Sequence, residues 1–430
     1  MINFIDLREQ DKDDFIARLR SRSQLARDDI KASVESIVQD IRDRGDKALL
    51  EYEKRFDHVD MLPDSIKVAQ YEIDDAYDKV EPRFIEVIKK AAENIRAFHS
   101  KQLDKSWMIN GEDGTMMGQI YRALECAGIY VPGGRAAYPS SVLMNAIPAQ
   151  VAGVRRIIMA TPPMEDGGVY PYTLVAAKEA GVNEVYRMGG AQAVAAMAFG
   201  TDTVPRVDKI TGPGNIYVAM AKRAVYGYVD IDMIAGPSEI LIIADSSADP
   251  AFIAADLLSQ SEHDPMASSI LITDDERLAN TVAQEVPKQC AALSRCDIIA
   301  QSLSDYGYII LVRDMREAVR LANDIAPEHM ELMVSRPFEM LGGIKNAGSI
   351  FLGKYSPEPL GDYMAGPNHV LPTGGTARFY SPLSVDDFIK KSSFIYYSEG
   401  ALSDIKDDII DLAQFEGLTA HANSVRVRFK

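Results

Sequence analysis

Short apolar runs closed by glycine or proline alternate with alanine-rich helical stretches from Cys126 onward, and this alternation limits the possible folds more than any other feature. AGIYVPGG, RRIIMATPP and EVYRMGG read as strands, and VLMNAIPAQVAG, YTLVAAKEAG and AQAVAAMAFG read as helices. Such alternation favours right-handed β-α-β units and therefore a parallel sheet. From Glu239 the pattern resumes: strand EILIIAD, helix PAFIAADLLSQSEHD, strand SILIT, helix ERLANTVAQEV, strand YGYIILV and helix MREAVRLANDIA. A second α/β unit is expected there. Ahead of both units, Ser23 to about Phe56 and Ile73 to His99 are charged, with Val34, Ile37, Ile41 and Leu49 spaced for one helical face. After Phe351 comes a Gly/Pro-rich stretch, GDYMAGPNHVLPTGGTARF, of the kind a compact domain keeps for function. A helical tail then ends in HANSVRVRFK.

A chain of 430 residues, 47% hydrophobic and 25% charged, can build more than one core. Its apolar stretches, such as Ala193 to Phe199, are too short to cross a bilayer, and the start MINFIDLREQDKDD does not read as a signal peptide. A cytoplasmic protein without a membrane partner is expected. The formal net charge of -17 opposes binding to nucleic acid. Any anionic ligand must then rely on local amides, helix N-termini or a metal. The three cysteines, Cys126, Cys290 and Cys296, include no C-x-x-C pair, which argues against a disulfide framework or a thiolate zinc site.

Of six histidines, His58 and His99 lie in the polar helical region and read as solvated surface residues. The other four fall beside carboxylates or in Gly/Pro-rich segments. In LLSQSEHDP, Gln260 and His263 stand three apart at a helix end and can lie on one face, although a histidine there also simply suits the helix dipole. Asp362, in GDYMAG, offers a hard anionic ligand, and His421, in LTAHAN, a second imidazole. Two imidazoles, a carboxylate and a neutral oxygen suit zinc with room for substrate. In APEHMEL, Glu328 and His329 follow a proline, and a kink or helix start there would let both line one cleft as a proton-handling pair. A solvated helix start is the competing reading.

No G-x-G-x-x-G follows a strand, so the usual dinucleotide fingerprint is missing. YVPGG, MGGAQ and TGPGN nevertheless place glycines after three strands, at the edge where open α/β sheets bind ligands, unless they only make tight turns.

These segments resemble those of the histidinol dehydrogenase family over nearly the whole length. The most specific block is IDMIAGPSEILIIADSSADPAFIAADLLSQSEHDP, supported by YVPGG, GGAQAVAAMAFGT, TGPGN, APEHMEL, GDYMAGPNHVLPTGGTARF and EGLTAHANSVRVR. The resemblance implies one zinc ion per subunit on Gln260, His263, Asp362 and His421, the last coming from the partner subunit. It implies Glu328 and His329 as the catalytic pair and Tyr130, Gln192 and Asn215 as NAD contacts. Substrate contacts would be Ser238, His369 and Glu416, together with Gln260, His263, His329, Asp362 and His421. The implied fold is an intertwined homodimer of two incomplete Rossmann-like units with parallel-rich sheets. Its implied parts are an N-terminal arm (1–25), a first α/β domain (26–127 with 237–381) and a second one carrying the NAD contacts (128–236). The remaining part is an exchanged tail (382–430).

The implied reaction takes L-histidinol through L-histidinal to L-histidine with two NAD, the last two steps of histidine synthesis. His329 would remove the hydroxyl proton and Glu328 would activate water at the aldehyde. Cys126, the rival nucleophile, has nothing beside it that lowers a thiol pKa and reads as a core residue. The alternatives are a related zinc/NAD dehydrogenase of another polyol or sulfonated alcohol, or a zinc hydrolase. Glu416 would repel a sulfonate, and a hydrolase would need no cofactor.

Overall fold

The computed structural model describes residues 2–8, 12, 15–17, 19, 28–111, 113–133 and 137–430. Most of the expected N-terminal arm and Gly134 of YVPGG therefore lie outside the described residues. The chain divides into two compact units, Met1–Gln102 with Leu124–Phe388, and Leu103–Ala123 with Ile389–Lys430.

The strands are β1 (Asn3–Asp6), β2 (Trp107–Asn110), β3 (Met116–Ala123), β4 (Cys126–Tyr130), β5 (Arg156–Thr161), β6 (Glu184–Arg187), β7 (Lys209–Thr211), β8 (Asp230–Ile231), β9 (Glu239–Ala244), β10 (Ser268–Thr273), β11 (Gly307–Leu311), β12 (His329–Met333), β13 (Ser349–Leu352) and β14 (Ile389–Tyr396). The larger unit holds two sheets, one of order β6-β5-β4-β7-β8 and one of order β1-β11-β10-β9-β12-β13. Every pairing in both is parallel. Leaving β1 aside, the two sheets repeat one topology, in which the first three strands run outward on one side and the fourth returns to the other side of the first. That reversal is the switch point where open sheets of this kind bind ligands.

The apolar runs are continuous because both faces of these strands are covered. Ile240, Ile242 and Ala244 enter one core, while Leu241 and Ile243 enter the core on the opposite face. Helix Asp28–Arg44 buries Val34, Ile37, Val38 and Ile41 at helical spacing, and these pack in the core of the five-stranded sheet with Tyr130, Tyr186 and Val194. The smaller unit is an antiparallel sheet of order β14-β3-β2 with helices Glu399–Phe415 and Thr419–Arg426.

Two expectations need correction. His99 is fully buried, donating from Nδ1 to Gln102 Oε1 at 2.7 Å, because the apolar face of helix Pro82–His99 carries it inward with Ile88, Ala92 and Ile95. Cys290 and Cys296, which close one helix and open the next, are joined as a disulfide. An odd cysteine count spoke against a framework and did not reveal one short-range pair.

The loop TGPGN is fixed from below. Asp232 accepts hydrogen bonds from the backbone N–H of Gly212 (2.8 Å) and of Met233 (2.6 Å), and its carboxylate pairs with the buried Lys222, whose Nζ also donates to Gly212 O at 3.0 Å. Removing one partner strands the other charge in the interior. Asp232→Ala is expected to lose about 3–5 kcal/mol of stability, read from urea unfolding, whereas replacing an exposed ion pair such as Arg83–Glu86 should cost less than about 1 kcal/mol.

Candidate active site

At the amino edge of the six-stranded sheet, β9 and β12 lie side by side with His329 in register with Ile240. Glu328 and His329 were expected at a kink or helix start, but His329 opens a buried strand, because HMELM pairs with β9 and β13 on either side. Both side chains fasten on the same residue. Glu328 Oε2 accepts from the backbone N–H of Glu239 at 2.8 Å, and His329 Nδ1 lies 3.0 Å from Glu239 O. A carbonyl oxygen can only accept, so Nδ1 carries the hydrogen and the Nε2 lone pair is left for chemistry. Burial raises the Glu328 carboxyl well above the usual carboxylate range, and burial lowers the His329 imidazole to about 4. The imidazole is thus neutral near pH 7, in the form a general base requires.

Metal donors gather at the same edge. Helix Pro250–Ser261 ends beside His263, whose backbone N–H returns to Gln260 O at 3.3 Å. Gln260 is fully buried, yet neither Oε1 nor Nε2 has a hydrogen-bond partner among the described residues. An unsatisfied buried amide is costly, and a metal ion accepting the oxygen would relieve part of that cost. Ligand atoms of His263, Glu358 and Asp362 lie within 4.8 Å of one another. This oxygen and nitrogen donor set fits zinc.

Glu358 went unnoticed in the sequence. It sits four residues before Asp362 on the short helix Glu358–Tyr363, and that i,i+4 acidic pair in EPLGD was the available signal. Its backbone N–H donates to Glu331 Oε1 at 2.9 Å, Ser259 Oγ donates to its Oε2 at 3.1 Å, and its Oε1 lies 3.9 Å from His329 Nε2. Burial, followed by the charge of Asp362, pushes the Glu358 carboxyl up to about 9. Burial also works to raise Asp362. There the His369 hydrogen bond and the charges of His369, His329 and His263 outweigh it and hold the carboxyl at about 2. His369 Nδ1 stands 3.5 Å from Asp362 Oδ1. A cavity of about 170 Å³ lies here, lined by His329, Phe351, Asp362, Asn368 and His369 among others. Ser238 lies just ahead of β9, its carbonyl taking the N–H of Ser268 at 3.0 Å. His421, in helix Thr419–Arg426, and Glu416, at the C-terminus of helix Glu399–Phe415, belong to the smaller unit and are both exposed.

The carboxyl edge of the five-stranded sheet carries the other expected contacts. Tyr130 closes β4, and its buried hydroxyl accepts from Gly190 N–H at 3.1 Å. Gly212, across the switch point at the end of β7, has φ +117°, and a Cβ there would fall 2.1 Å from Tyr130 O. Only glycine permits this approach, which brings the backbones at the ends of β4 and β7 into direct contact. Asn215 Oδ1 caps helix Ile216–Val225 by accepting from the N–H groups of Tyr217 (3.0 Å) and Val218 (3.2 Å). Gln192 Nε2 donates to the buried Glu53 at 3.0 Å. Cys126 is buried, and burial pushes its thiol up to about 11, so it packs as expected and is no nucleophile at neutral pH.

A parallel sheet with glycine turns at its carboxyl edge and, on the other sheet, an acid–imidazole pocket with candidate metal donors are features of an α/β enzyme. The histidinol dehydrogenase family profile matches residues 20–429. A histidinol dehydrogenase of Clostridium acetobutylicum is 58% identical over 420 residues, covering 98% of this chain and 97% of that protein. One from Caldanaerobacter subterraneus is 56% identical over 429 residues, covering 100% and 99%. The crystal structure of histidinol dehydrogenase from Elizabethkingia anophelis superposes with a TM-score of 0.93 at 39% identity, covering 100% of this chain and 98% of that one. The chain belongs to the histidinol dehydrogenase family.

If Glu358 helps hold the metal, Glu358→Gln should weaken zinc binding by about 10–100-fold, measured as zinc retained after equilibrium dialysis against a chelator of known affinity. Unchanged retention would remove Glu358 from the metal site.

Proposed function

We propose that the chain is a zinc-dependent, NAD-linked L-histidinol dehydrogenase that oxidises L-histidinol to L-histidinal and then to L-histidine, the last two steps of histidine synthesis in the cytoplasm. The observation that carries the mechanism is the neutral His329, its Nδ1–H tied to Glu239 O and its Nε2 directed at the acid cluster, beside a buried Glu328.

Zinc, bound by Gln260, His263, Asp362 and His421, would supply a Lewis acid that orients the substrate amine and imidazole. NAD, held at Tyr130, Gln192 and Asn215, would accept one hydride in each step. In the first step His329 Nε2 takes the hydroxyl proton as the alcohol carbon loses hydride. In the second, Glu328 takes a proton from water as the water adds to the aldehyde. Burial raises the proton affinity of Glu328, while the backbone N–H of Glu239 on its Oε2 favours the ionised form that this task requires. Ser238, His369 and Glu416 hold the substrate, with the Glu416 carboxylate suited to an imidazole rather than a sulfonate. Holding the aldehyde in the pocket between the steps limits its escape and its side reactions in bulk water.

His421 and Glu416 come to the site from the partner in a homodimer with an exchanged tail. The smaller unit supports this reading by leaving Trp107, Ile109, Ile395 and Phe415 exposed, Phe415 by 86%. Apolar exposure of this kind marks surfaces that pack against another chain. No helix among the described residues is long and apolar enough to cross a membrane.

Purified protein should form NADH with histidinol, lose that activity on chelation and regain it with zinc, whereas a zinc hydrolase would form none. Glu328→Gln should slow the oxidation of added histidinal by about 100-fold or more while slowing that of histidinol far less. Equal loss in both steps would remove the division of labour. Mixing His421→Asn with His263→Asn subunits should restore about one working site per heterodimer, and no recovery would favour sites built within single chains.

A further inference from the structure

The five-stranded sheet lacks, on its own strands, the acid that an NAD ribose ordinarily meets. In sheets of this order a carboxylate following the second strand takes the 2′-hydroxyl of NAD and repels the 2′-phosphate of NADP. Here β5 ends in Thr161-Pro162-Pro163. The first acids after it are Glu165, which is exposed, and Asp166, which turns back into its own loop to accept from Gly168 N–H at 2.8 Å.

A carboxylate reaches the same edge from outside the sheet. Asp57 ends helix Asp46–Phe56, its backbone N–H bonded to Glu53 O at 2.9 Å. A Cβ built on Gly189 would lie 3.0 Å from Asp57 Oδ2 and 3.0 Å from Pro162 Cγ, so the carboxylate stands between the carboxyl ends of β5 and β6. Glu53, one helical turn earlier, is wholly buried, and its Oε1 accepts from Gly189 N–H (3.1 Å) and Gln192 Nε2 (3.0 Å). Burial raises both acids, Glu53 the more strongly, so the enclosed Glu53 keeps the proton of the pair and the half-buried Asp57 keeps its charge. That charge has no cation paired with it among the described contacts except the neighbouring His58.

We infer that Asp57 is the cofactor-selecting carboxylate of this enzyme, accepting the 2′-hydroxyl of the adenosine ribose of NAD and excluding the 2′-phosphate of NADP. The inference rests on the reading that the chain binds NAD. It assigns the helix Asp46–Phe56 a second duty beyond covering the sheet, because that helix delivers the acid the strands omit.

The test is titration calorimetry on the full-length, zinc-loaded enzyme with NAD, 2′-deoxy-NAD and NADP. Wild type should bind 2′-deoxy-NAD about tenfold more weakly than NAD, the loss expected for one hydrogen bond to a charged acceptor. In Asp57→Asn and Asp57→Ser that gap should close, NADP should gain on NAD by about tenfold or more, and the effect should fall on the KM for NAD rather than for histidinol. Asp57→Glu should recover part of the preference. Equal binding of NAD and 2′-deoxy-NAD by wild type overturns the inference, as does a gap that persists in both substituted proteins. Wild type that binds no NAD at all overturns the underlying reading instead.

Discussion

One residue's backbone joins the two members of the proposed proton-handling pair. Glu239 gives its N–H to Glu328 and its carbonyl to His329, and it can do so because β9 and β12 pair in parallel with His329 opposite Ile240. Side chains alternate along a strand, so a one-residue slip of β12 would send His329 to the opposite face and leave both hydrogen bonds unmade. The register is held in turn by the apolar alternation of Leu241, Ile243, Met330 and Leu332 in a single core. Packing therefore fixes the tautomer of His329, and enclosure by the same packing fixes its charge.

The molecule uses one topology twice, and the two proposed sites lie at opposite edges of the two sheets. At the carboxyl edge of the six-stranded sheet the switch point is latched, with Asp245 Oδ2 accepting from both N and Oγ of Ser335 at 2.9 Å. Chemistry moves to the amino edge, where each crossover helix presents its C-terminus. The negative end of a helix dipole favours cations, and helix Pro250–Ser261 delivers Gln260 and His263 there. The carboxyl edge of the five-stranded sheet presents helix N-termini, which favour anions. A metal ion at the proposed site would thus meet the helix end that suits it.

Much of this was legible in the chain. Strands buried on both faces must be apolar throughout, so β9, β10 and β11 stood out, and the turns after β4, β6 and β7 announced themselves through glycine. The missed features have the opposite character. Strand β12 reads HMELM, with a base and an acid where apolar residues were expected, because its polar groups are satisfied by neighbours distant in sequence: Glu331 by the N–H of Glu358, His329 by Glu239. Glu53 and Glu358 were not singled out in the sequence, since burial of a carboxyl leaves no trace in local pattern. His99 misled for the same reason. The placement of helix Asp28–Arg44 on the five-stranded sheet follows from which apolar face finds which partner, and periodicity specifies the face without the partner.

The charge balance imposes a last constraint on how the cofactor edge can work. At a net charge of -17 the chain's field opposes an anionic dinucleotide, so affinity must come from local groups. Two amides that would ordinarily cradle a diphosphate, those of Gly189 and Gly190, are already committed to Glu53 and Tyr130. A second helix start, at Ile216, has two of its amides capped by Asn215. These amides hold the loops of the edge in place instead. Recognition of the proposed cofactor at this edge would be left to directional polar contacts, which select a ligand without drawing it in from a distance.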